Sequence, residues 1–135
     1  MTVADEVRTR IADDLARAEQ TGVAVDPPTA SYPDLDVVDA YEIQLVNIRR
    51  RLDAGARIAG HKVGLASEAM QQMMGVDEPD YGHLLDTMQY HEGTPIDASA
   101  FCFPRVEVEV AFILGETLPG EGCTEQDVLD ATEYV

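Results

Sequence analysis

The segment from Phe103 to Gly115, FPRVEVEVAFILG, alternates between two kinds of side chain along most of its length. Successive side chains of a β-strand point to opposite faces, so this period of two predicts a strand. A lone strand can neither satisfy its backbone hydrogen bonds nor bury both faces, so the fold must supply further strands. One face of the predicted strand is apolar throughout and carries Val106, Val108, Val110, Phe112 and Leu114.

The first part of the chain has helical rather than strand periodicity. Residues 3–20 predict an amphipathic helix that Gly22 ends, because apolar residues recur there every three or four positions. Asp36 suits the N-cap of a second helix, whose apolar stripe extends to Leu52. A connector rich in proline and small residues separates the two. These helices form a predicted N-terminal region, residues 1–55.

The next part of the chain consists of short elements punctuated by glycine. Residues 56–66 predict a short strand interrupted by glycines, and Ser67 suits the cap of a short helix that ends at Gly75. Residues 79–85, PDYGHLL, are typical of a turn that leads into apolar residues. Residues 86–102 predict irregular structure with short strands.

A third helix is predicted at the end of the sequence. Thr124 is followed three residues later by Asp127, which resembles a capping box, so we expect a helix from there through Val135. No C-cap or closing turn follows this helical pattern. We therefore expect the β-rich region, residues 56–135, to be the first part of a domain that is cut at Val135.

The charge of the chain excludes several classes of partner. It has 26 acidic and 9 basic residues, a formal net charge of −17, whereas nucleic acids and anionic membrane surfaces attract Lys and Arg. No apolar run approaches the length of a transmembrane helix, and the N-terminus has no signal-peptide core. Cys102 and Cys123 match no metal or redox spacing, so a reduced cytoplasm is the expected compartment.

Two glutamates on the predicted strand are candidate metal ligands. Glu107 and Glu109 would share a face, roughly 7 Å apart at the backbone. Further along the same face the side chains become apolar, at Ala111 and Ile113. Two anions beside an apolar surface are costly because desolvation and repulsion both oppose the charged forms. A divalent cation removes that cost, and all-oxygen ligation favours Mg²⁺ or Mn²⁺ over zinc. The alternative is an exposed edge strand whose two acids Arg105 can neutralise, and the pattern alone leaves both interpretations open.

Lys62 and Asp80 are the candidate acid/base residues. Lys62 lies between Gly60 and Gly64, and glycines on both sides let other backbone or a ligand approach closely. A lysine that is partly desolvated near a metal ion can act as an acid or a base, and the alternative is a surface lysine. Asp80, between Pro and Tyr-Gly, has the sequence of an ordinary turn. The histidines show no metal-ligand spacing and are interpreted as structural or surface residues: His61, His83 and His91.

Two stretches, taken together and in order, resemble the 2-keto-4-pentenoate hydratase family of the fumarylacetoacetate hydrolase superfamily. They are GHKVGLASEAMQQMMGVDEPDYGHLLDTM (60–88) and PRVEVEVAFILG (104–115), and the helix DVVDAYEIQLVNIRRRL (36–52) fits the family's N-terminal region. The first stretch reads GLAS where many relatives read GLTS, so Ala66 lacks a hydroxyl. The resemblance implies an α+β fold in which N-terminal helices precede the first part of a fumarylacetoacetase C-terminal-like mixed β-sandwich or roll.

The resemblance also implies roles for individual residues. In the family, the glutamates of the E-x-E strand bind a divalent metal, which matches Glu107 and Glu109. The lysine of the G-x-K-x-G-L motif is an active-site acid/base, which matches Lys62, and the aspartate of the P-D-[YF]-G motif lies in the site, which matches Asp80. The family's third metal carboxylate comes from a later segment, and the sequence ends at Val135 before any such segment.

The activity that the resemblance implies is that of a hydro-lyase. With Mg²⁺ or Mn²⁺ it would add water to 2-hydroxy-2,4-dienoates and give 4-hydroxy-2-oxo acids, in the meta-cleavage catabolism of aromatic compounds or steroids. A sister activity with the same motifs, 2-oxo-3-hexenedioate (4-oxalocrotonate) decarboxylase, is one alternative. The other is a catalytically incomplete fragment or a partner subunit. The expected partners are the small-molecule substrate, further copies in a homo-oligomer and the pathway decarboxylase.

Overall fold

The computed structural model describes residues 3–135 and divides the chain into two compact units, one up to Phe103 and one from Pro104 to Val135. Helices and small antiparallel sheets occur together, which confirms the mixed helix-and-strand class. The β-sandwich or roll of the whole domain, and the boundary near residue 55, stay predictions. Within residues 3–135, no helix is both long enough and apolar enough to cross a bilayer.

The first unit begins with three helices: α1 (Asp5–Thr21), α2 (Pro28–Ser31) and α3 (Val37–Asp53). The two long helices confirm the predicted pair. Gly22 follows α1 in the left-handed conformation, at φ 67°, which a residue with a side chain rarely adopts. Asp36 accepts a hydrogen bond from the backbone N–H of Asp39 in a capping box, so local sequence fixes the start of α3.

The core of the first unit lies between α1 and α3. Ile11, Ala12 and Ile43 are buried there against one another, because the apolar stripes of the two helices face each other. Asn47 donates a hydrogen bond of 2.8 Å to the Ala12 carbonyl across the same contact. Full burial of an isoleucine side chain contributes about 1.5–3 kcal/mol, so Ile11 and Ile43 both stabilise the contact between the two helices.

A buried carboxylate, that of Asp39, also joins α1 to α3. Arg8 donates to its Oδ1 from Nη2 at 2.7 Å and from Nε at 3.0 Å, and the Val3 backbone N–H donates at 3.3 Å. Burial by itself would raise the pKa of Asp39, but the hydrogen bonds from Arg8, Val3 and Asp36 outweigh it. The pKa of Asp39 therefore lies below the ordinary aspartate value, which means that folding favours the ionised carboxylate.

A two-stranded antiparallel ribbon completes the first unit. It pairs β1 (Ile58–Gly64) with β2 (Asp80–Leu85), and α4 (Glu68–Met74) lies between them in sequence. Ser67 caps α4 and Gly75 follows it, as predicted. The prediction of a turn over residues 79–85 is wrong from Asp80 onward. Pairing with the distant β1 turns that segment into a strand, and local turn propensity carries no information about such pairing.

The ribbon is followed by irregular structure, as predicted for residues 86–102, but the short strands predicted there do not form. This region contains two single-turn 3₁₀ helices, Asp86–Met88 and Ala98–Ala100. Asp86 ties the base of the ribbon together, because its Oδ1 accepts the Arg57 backbone N–H at 2.9 Å and its own N–H donates to the Arg57 carbonyl at 2.9 Å. The Arg57 backbone hydrogen bond holds the pKa of Asp86 below its usual value.

The second unit differs most from the sequence-based expectation. It contains β3 (Ile113–Leu114), α5 (Glu125–Ala131) and β4 (Thr132–Tyr134). The predicted strand over 103–115 is wrong for residues 104–112, where the described chain has no strand pairing. Val106 and Val108 there are 97% and 98% exposed. Alternation indicates which conformation a segment favours, but a strand forms only where another segment completes its ladder.

The predicted last helix is correct at its start and wrong at its end. Thr124 and Asp127 form the predicted capping box, in which the Thr124 N–H donates to the Asp127 carboxylate at 2.7 Å. The helix stops at Ala131, four residues before the predicted end, and β4 follows directly. The antiparallel pairing of Ile113 with Tyr134 favours the extended conformation of these β-branched and aromatic residues.

Candidate active site

Lys62 and Asp80 project from the same face of the β1–β2 ribbon. Lys62 is paired with Gly82, and Asp80 is paired with Gly64. Cross-strand partners share a face, as do residues two apart on one strand, so the two candidate side chains are diagonal neighbours. Diagonal neighbours are about 7–8 Å apart at the backbone, within reach of a side chain as long as lysine. The ribbon thus brings together two residues that are 18 positions apart in sequence.

Gly64 provides the space in which the Asp80 carboxylate lies. A Cβ added to Gly64 would be 2.1 Å from Asp80 Oδ1 and 3.2 Å from Cγ, well inside van der Waals contact. The sequence predicted close approach at both glycines that flank Lys62. Gly64 meets that expectation, whereas a Cβ added to Gly60 would meet no atom within 4 Å. The carboxylate is therefore held against the backbone of β1 on the lysine side.

Helix α3 supports β2 with two side chains, Tyr41 and Gln44, that are not among the candidate residues predicted from sequence. The Tyr41 ring stacks on Tyr81 at 4.8 Å between centroids and 22° between planes, and the Tyr81 backbone N–H donates to the Tyr41 hydroxyl at 3.3 Å. One turn along the helix, Gln44 Oε1 lies 3.3 Å from His83 Nδ1. Tyr41 belongs to the apolar stripe of the second predicted helix, and its hydroxyl, which needs a polar partner when partly buried, is the signal in the sequence for this contact.

A cleft of about 240 Å³ opens where α3 meets the start of β2. Its lining combines apolar and aromatic groups with the Asp80 carboxylate, and Lys62 is not among the lining residues. The lining residues are Val37, Ala40, Tyr41, Gln44, Asp80 and Tyr81.

The histidines of the ribbon lie on the face opposite Lys62. His61 and His83 are cross-strand partners, and their rings are 4.9 Å apart between centroids. His61 points away from Lys62, since adjacent residues of a strand face opposite sides. The two rings and Gln44 form a structural contact of the ribbon, and His91 is exposed in the irregular segment.

Glu107 and Glu109 lie in the second unit, in the exposed segment without strand pairing. Both carry carboxylate oxygens, the donor type that Mg²⁺ and similar hard cations take. In the part of the chain that the structure describes, no group of three or more His, Cys, Asp or Glu residues is arranged to hold a metal ion. The chemistry of the two glutamates fits a divalent cation, and they would contribute two ligands of a larger set.

Known proteins resemble this chain over most of its length, although no protein-family model matches it. It is 43% identical over 128 residues to the 2-keto-4-pentenoate hydratase of Paraburkholderia xenovorans, spanning 95% of this chain and 48% of that protein. It is 44% identical over 126 residues to a 2-hydroxypent-2,4-dienoate hydratase of Pseudomonas putida, spanning 93% and 57%. The chain thus spans about half the length of the curated relatives it matches.

A solved structure matches the fold of this chain as well. It is the 4-oxalocrotonate decarboxylase from Pseudomonas putida G7, complexed with magnesium and adipate. The match has a TM-score of 0.61 and 34% sequence identity, and covers 64% of this chain and 33% of the decarboxylase. The sequence comparison thus finds similarity to hydratases of this type, and the structure comparison finds similarity to 4-oxalocrotonate decarboxylase.

Proposed function

We propose that this chain, which belongs to the 2-keto-4-pentenoate hydratase family, carries the proton-transfer residues of a divalent-metal-dependent hydratase. The observation that carries the proposal is the placement of Lys62 and Asp80 on one face of the ribbon, with the Asp80 carboxylate held against Gly64. A general acid and a general base must both reach one small substrate, and diagonal cross-strand neighbours satisfy that requirement.

The substrate class is a 2-hydroxy-2,4-dienoate. In the first stage the 2-hydroxyl loses a proton and the far end of the diene gains one, which gives an α,β-unsaturated 2-keto acid. Lys62 and Asp80 would carry these protons, because a cation and a carboxylate side by side can exchange a proton with a substrate between them. In the second stage water adds its oxygen to C4 and a proton to C3, giving a 4-hydroxy-2-oxo acid.

Glu107 and Glu109 are the proposed protein ligands of Mg²⁺ or Mn²⁺. Two carboxylates leave positions on a six-coordinate ion for a bidentate substrate and water. The cation would supply positive charge beside the C1 carboxylate and the C2 oxygen of the substrate, where negative charge develops. The match to a decarboxylase solved with magnesium supports Mg²⁺ as the first ion to test.

The decisive experiment is a direct assay of the 135-residue chain with a 2-hydroxy-2,4-dienoate and Mg²⁺ or Mn²⁺. We expect the dienol absorbance to decay with formation of the 4-hydroxy-2-oxo acid, and we expect chelation of the metal to stop it. A Lys62→Met variant, which keeps the length of the side chain but not its charge, provides the matched control. Equal rates for this variant and the wild type would reject the proposed role of Lys62.

Decarboxylation of 2-oxo-3-hexenedioate is the second candidate activity. The similarity to 4-oxalocrotonate decarboxylase in both sequence and fold favours it over unrelated chemistries. Its substrate has a second carboxylate, so a basic group in the distal part of the pocket would favour it. Assaying both substrates under the same conditions separates the two activities, and faster release of CO₂ than hydration would reject the hydratase.

A third candidate is that the chain acts only together with another polypeptide. It is supported by the absence of a three-residue metal cluster among residues 3–135, because Glu107 and Glu109 would then need a further ligand from elsewhere. We propose as partners further copies of this chain in a homo-oligomer and the pathway decarboxylase, in the cytoplasm. Calorimetry with Mn²⁺ tests this candidate, because tight binding to the isolated chain would contradict it.

A further inference from the structure

We infer that Tyr41 of helix α3 is a positioning residue that holds Asp80 in place for proton transfer, an inference that rests on the proposed function. Asp80 is the first residue of β2, and the ends of short ribbons fray most easily. On its inner edge this end is held by the pairing of Asp80 with Gly64. On its outer edge it depends on contacts with α3.

Tyr41 makes the contacts on that outer edge. Its hydroxyl accepts the backbone N–H of Tyr81, the residue directly after Asp80, at 3.3 Å, and its ring stacks on the Tyr81 ring at 4.8 Å. The hydrogen bond restrains the strand backbone, while the stack restrains the Tyr81 side chain, which lies on the face of the ribbon opposite the Asp80 carboxylate. A single residue of the helix therefore restrains both the backbone and the side chain of Tyr81, which follows Asp80 in sequence.

On the side that faces β1, the Asp80 carboxylate lies close to the backbone of Gly64. Its Oδ1 occupies the space in which a Cβ on Gly64 would lie, so the carboxylate is already in close contact with β1. Displacement of the start of β2 would withdraw the carboxylate from the lysine face of the ribbon. The reaction is sensitive to such displacement because misplacement of a catalytic group by about 1 Å can cost about 100-fold in rate.

The rigid core of the first unit supports Tyr41 in turn. Ile43, two residues further along α3, is buried against α1, and the Asp39 carboxylate anchors the helix through Arg8. The position of Tyr41 is therefore set by the packing of two helices rather than by the ribbon it contacts. Through Tyr41, the N-terminal helices would therefore help to place Asp80, although they lie outside the sequence motifs that contain Lys62 and Asp80.

The test compares Tyr41→Phe with the wild type and with the matched control Tyr90→Phe. Tyr41→Phe keeps the ring and removes the hydroxyl, whereas Tyr90 is an exposed tyrosine outside the cleft. Amide hydrogen exchange of Tyr81, the NMR resonance of the Gly64 amide, and kcat and KM for hydration with Mg²⁺ are measured on the whole chain. We expect Tyr41→Phe to speed Tyr81 exchange and lower kcat, each by about 3- to 10-fold, with KM within about twofold.

A purely structural role for Tyr41 predicts a different result. It would lower the melting temperature and leave the Tyr81 exchange, the Gly64 resonance and kcat of the folded protein as in the wild type, which would overturn the inference. Failure of the proposed function is distinguishable, since it appears as no hydration by the wild type. In that case unchanged exchange at Tyr81 in Tyr41→Phe overturns the positioning role, and faster exchange with a shifted Gly64 resonance supports it.

Discussion

The carboxylate of Asp80 occupies the space that a side chain on Gly64 would need, with Oδ1 2.1 Å from the position of an added Cβ. The two residues are cross-strand partners in the ribbon, on the face that also carries Lys62. The absence of a side chain at residue 64 is therefore a condition for the placement of the carboxylate. A side chain introduced at residue 64 would therefore displace the Asp80 carboxylate.

Replacing Gly64 by Ala should displace the Asp80 carboxylate and lower the hydration rate by about 100-fold, the loss associated with misplacing a catalytic group by about 1 Å. Steady-state kinetics with Mg²⁺ and a 2-hydroxy-2,4-dienoate measure the effect. Gly60→Ala is the matched control on the same strand, because its added methyl group would meet no atom within 4 Å. Equal losses in the two variants would show that the contact with Asp80 is irrelevant to the rate.

Replacing Glu107 or Glu109 by Gln should weaken Mg²⁺ binding by about tenfold or more for each substitution, because a neutral amide oxygen attracts the cation less than a carboxylate does. Isothermal titration calorimetry of each variant against the wild type measures the change. Glu116→Gln removes an exposed acid from the same unit and should leave affinity unaltered. Loss of affinity in Glu116→Gln equal to that in the other two would indicate nonspecific attraction by the acidic chain.

Replacing Asp39 by Asn should lower the melting temperature at neutral pH by several degrees, since the amide cannot hold the Arg8 charge in the same way. In the wild type the pKa of Asp39 is depressed by folding, so its contribution is present above the unfolded pKa and is lost as pH falls through the folded value. Stability should therefore drop below about pH 4, and the drop should be smaller in Asp39→Asn.

Urea unfolding at neutral and acid pH measures this difference. Asp77→Asn, a substitution of an exposed aspartate in the first unit, should keep the full wild-type drop. The drop need not vanish in Asp39→Asn, because hydrogen bonds also hold the pKa values of Asp86 and Asp97 below the usual range. If Asp39→Asn retained the same pH dependence as the wild type, the Arg8–Asp39 pair would not be the acid-sensitive contact.

Replacing Val108 by Lys should reduce concentration-dependent association of the chain. Val106 and Val108 are 97% and 98% exposed in a segment without strand pairing, and exposed alternating apolar residues favour pairing between chains. Light scattering over a concentration series measures association. Val23→Lys, at a position 67% exposed in the first unit, adds the same charge elsewhere. A similar reduction in both variants would attribute the effect to charge alone.

Local sequence determined the elements whose interactions are local. The caps at Asp36, Ser67 and Thr124 were predicted correctly, because a cap is a hydrogen bond to a backbone N–H a few residues away. The apolar stripes of α1 and α3 were predicted for the same reason, since helical spacing places such residues on one face. The charge of the chain and the candidate residues Lys62, Asp80, Glu107 and Glu109 also follow from sequence and resemblance alone.

Tertiary structure decided every feature that depends on pairing between distant segments. Residues 80–85 have a turn-like sequence but form a strand because β1 completes their ladder, whereas residues 104–112 have a strand-like sequence but no strand pairing in the described structure. The stacking of Tyr41 on Tyr81 and the seat of Asp80 at Gly64 depend on the same long-range register. The sequence determined which residues could carry proton transfer. Only the register of the ribbon placed two of them on one face, because side-chain direction in a strand alternates and is fixed by the partner strand.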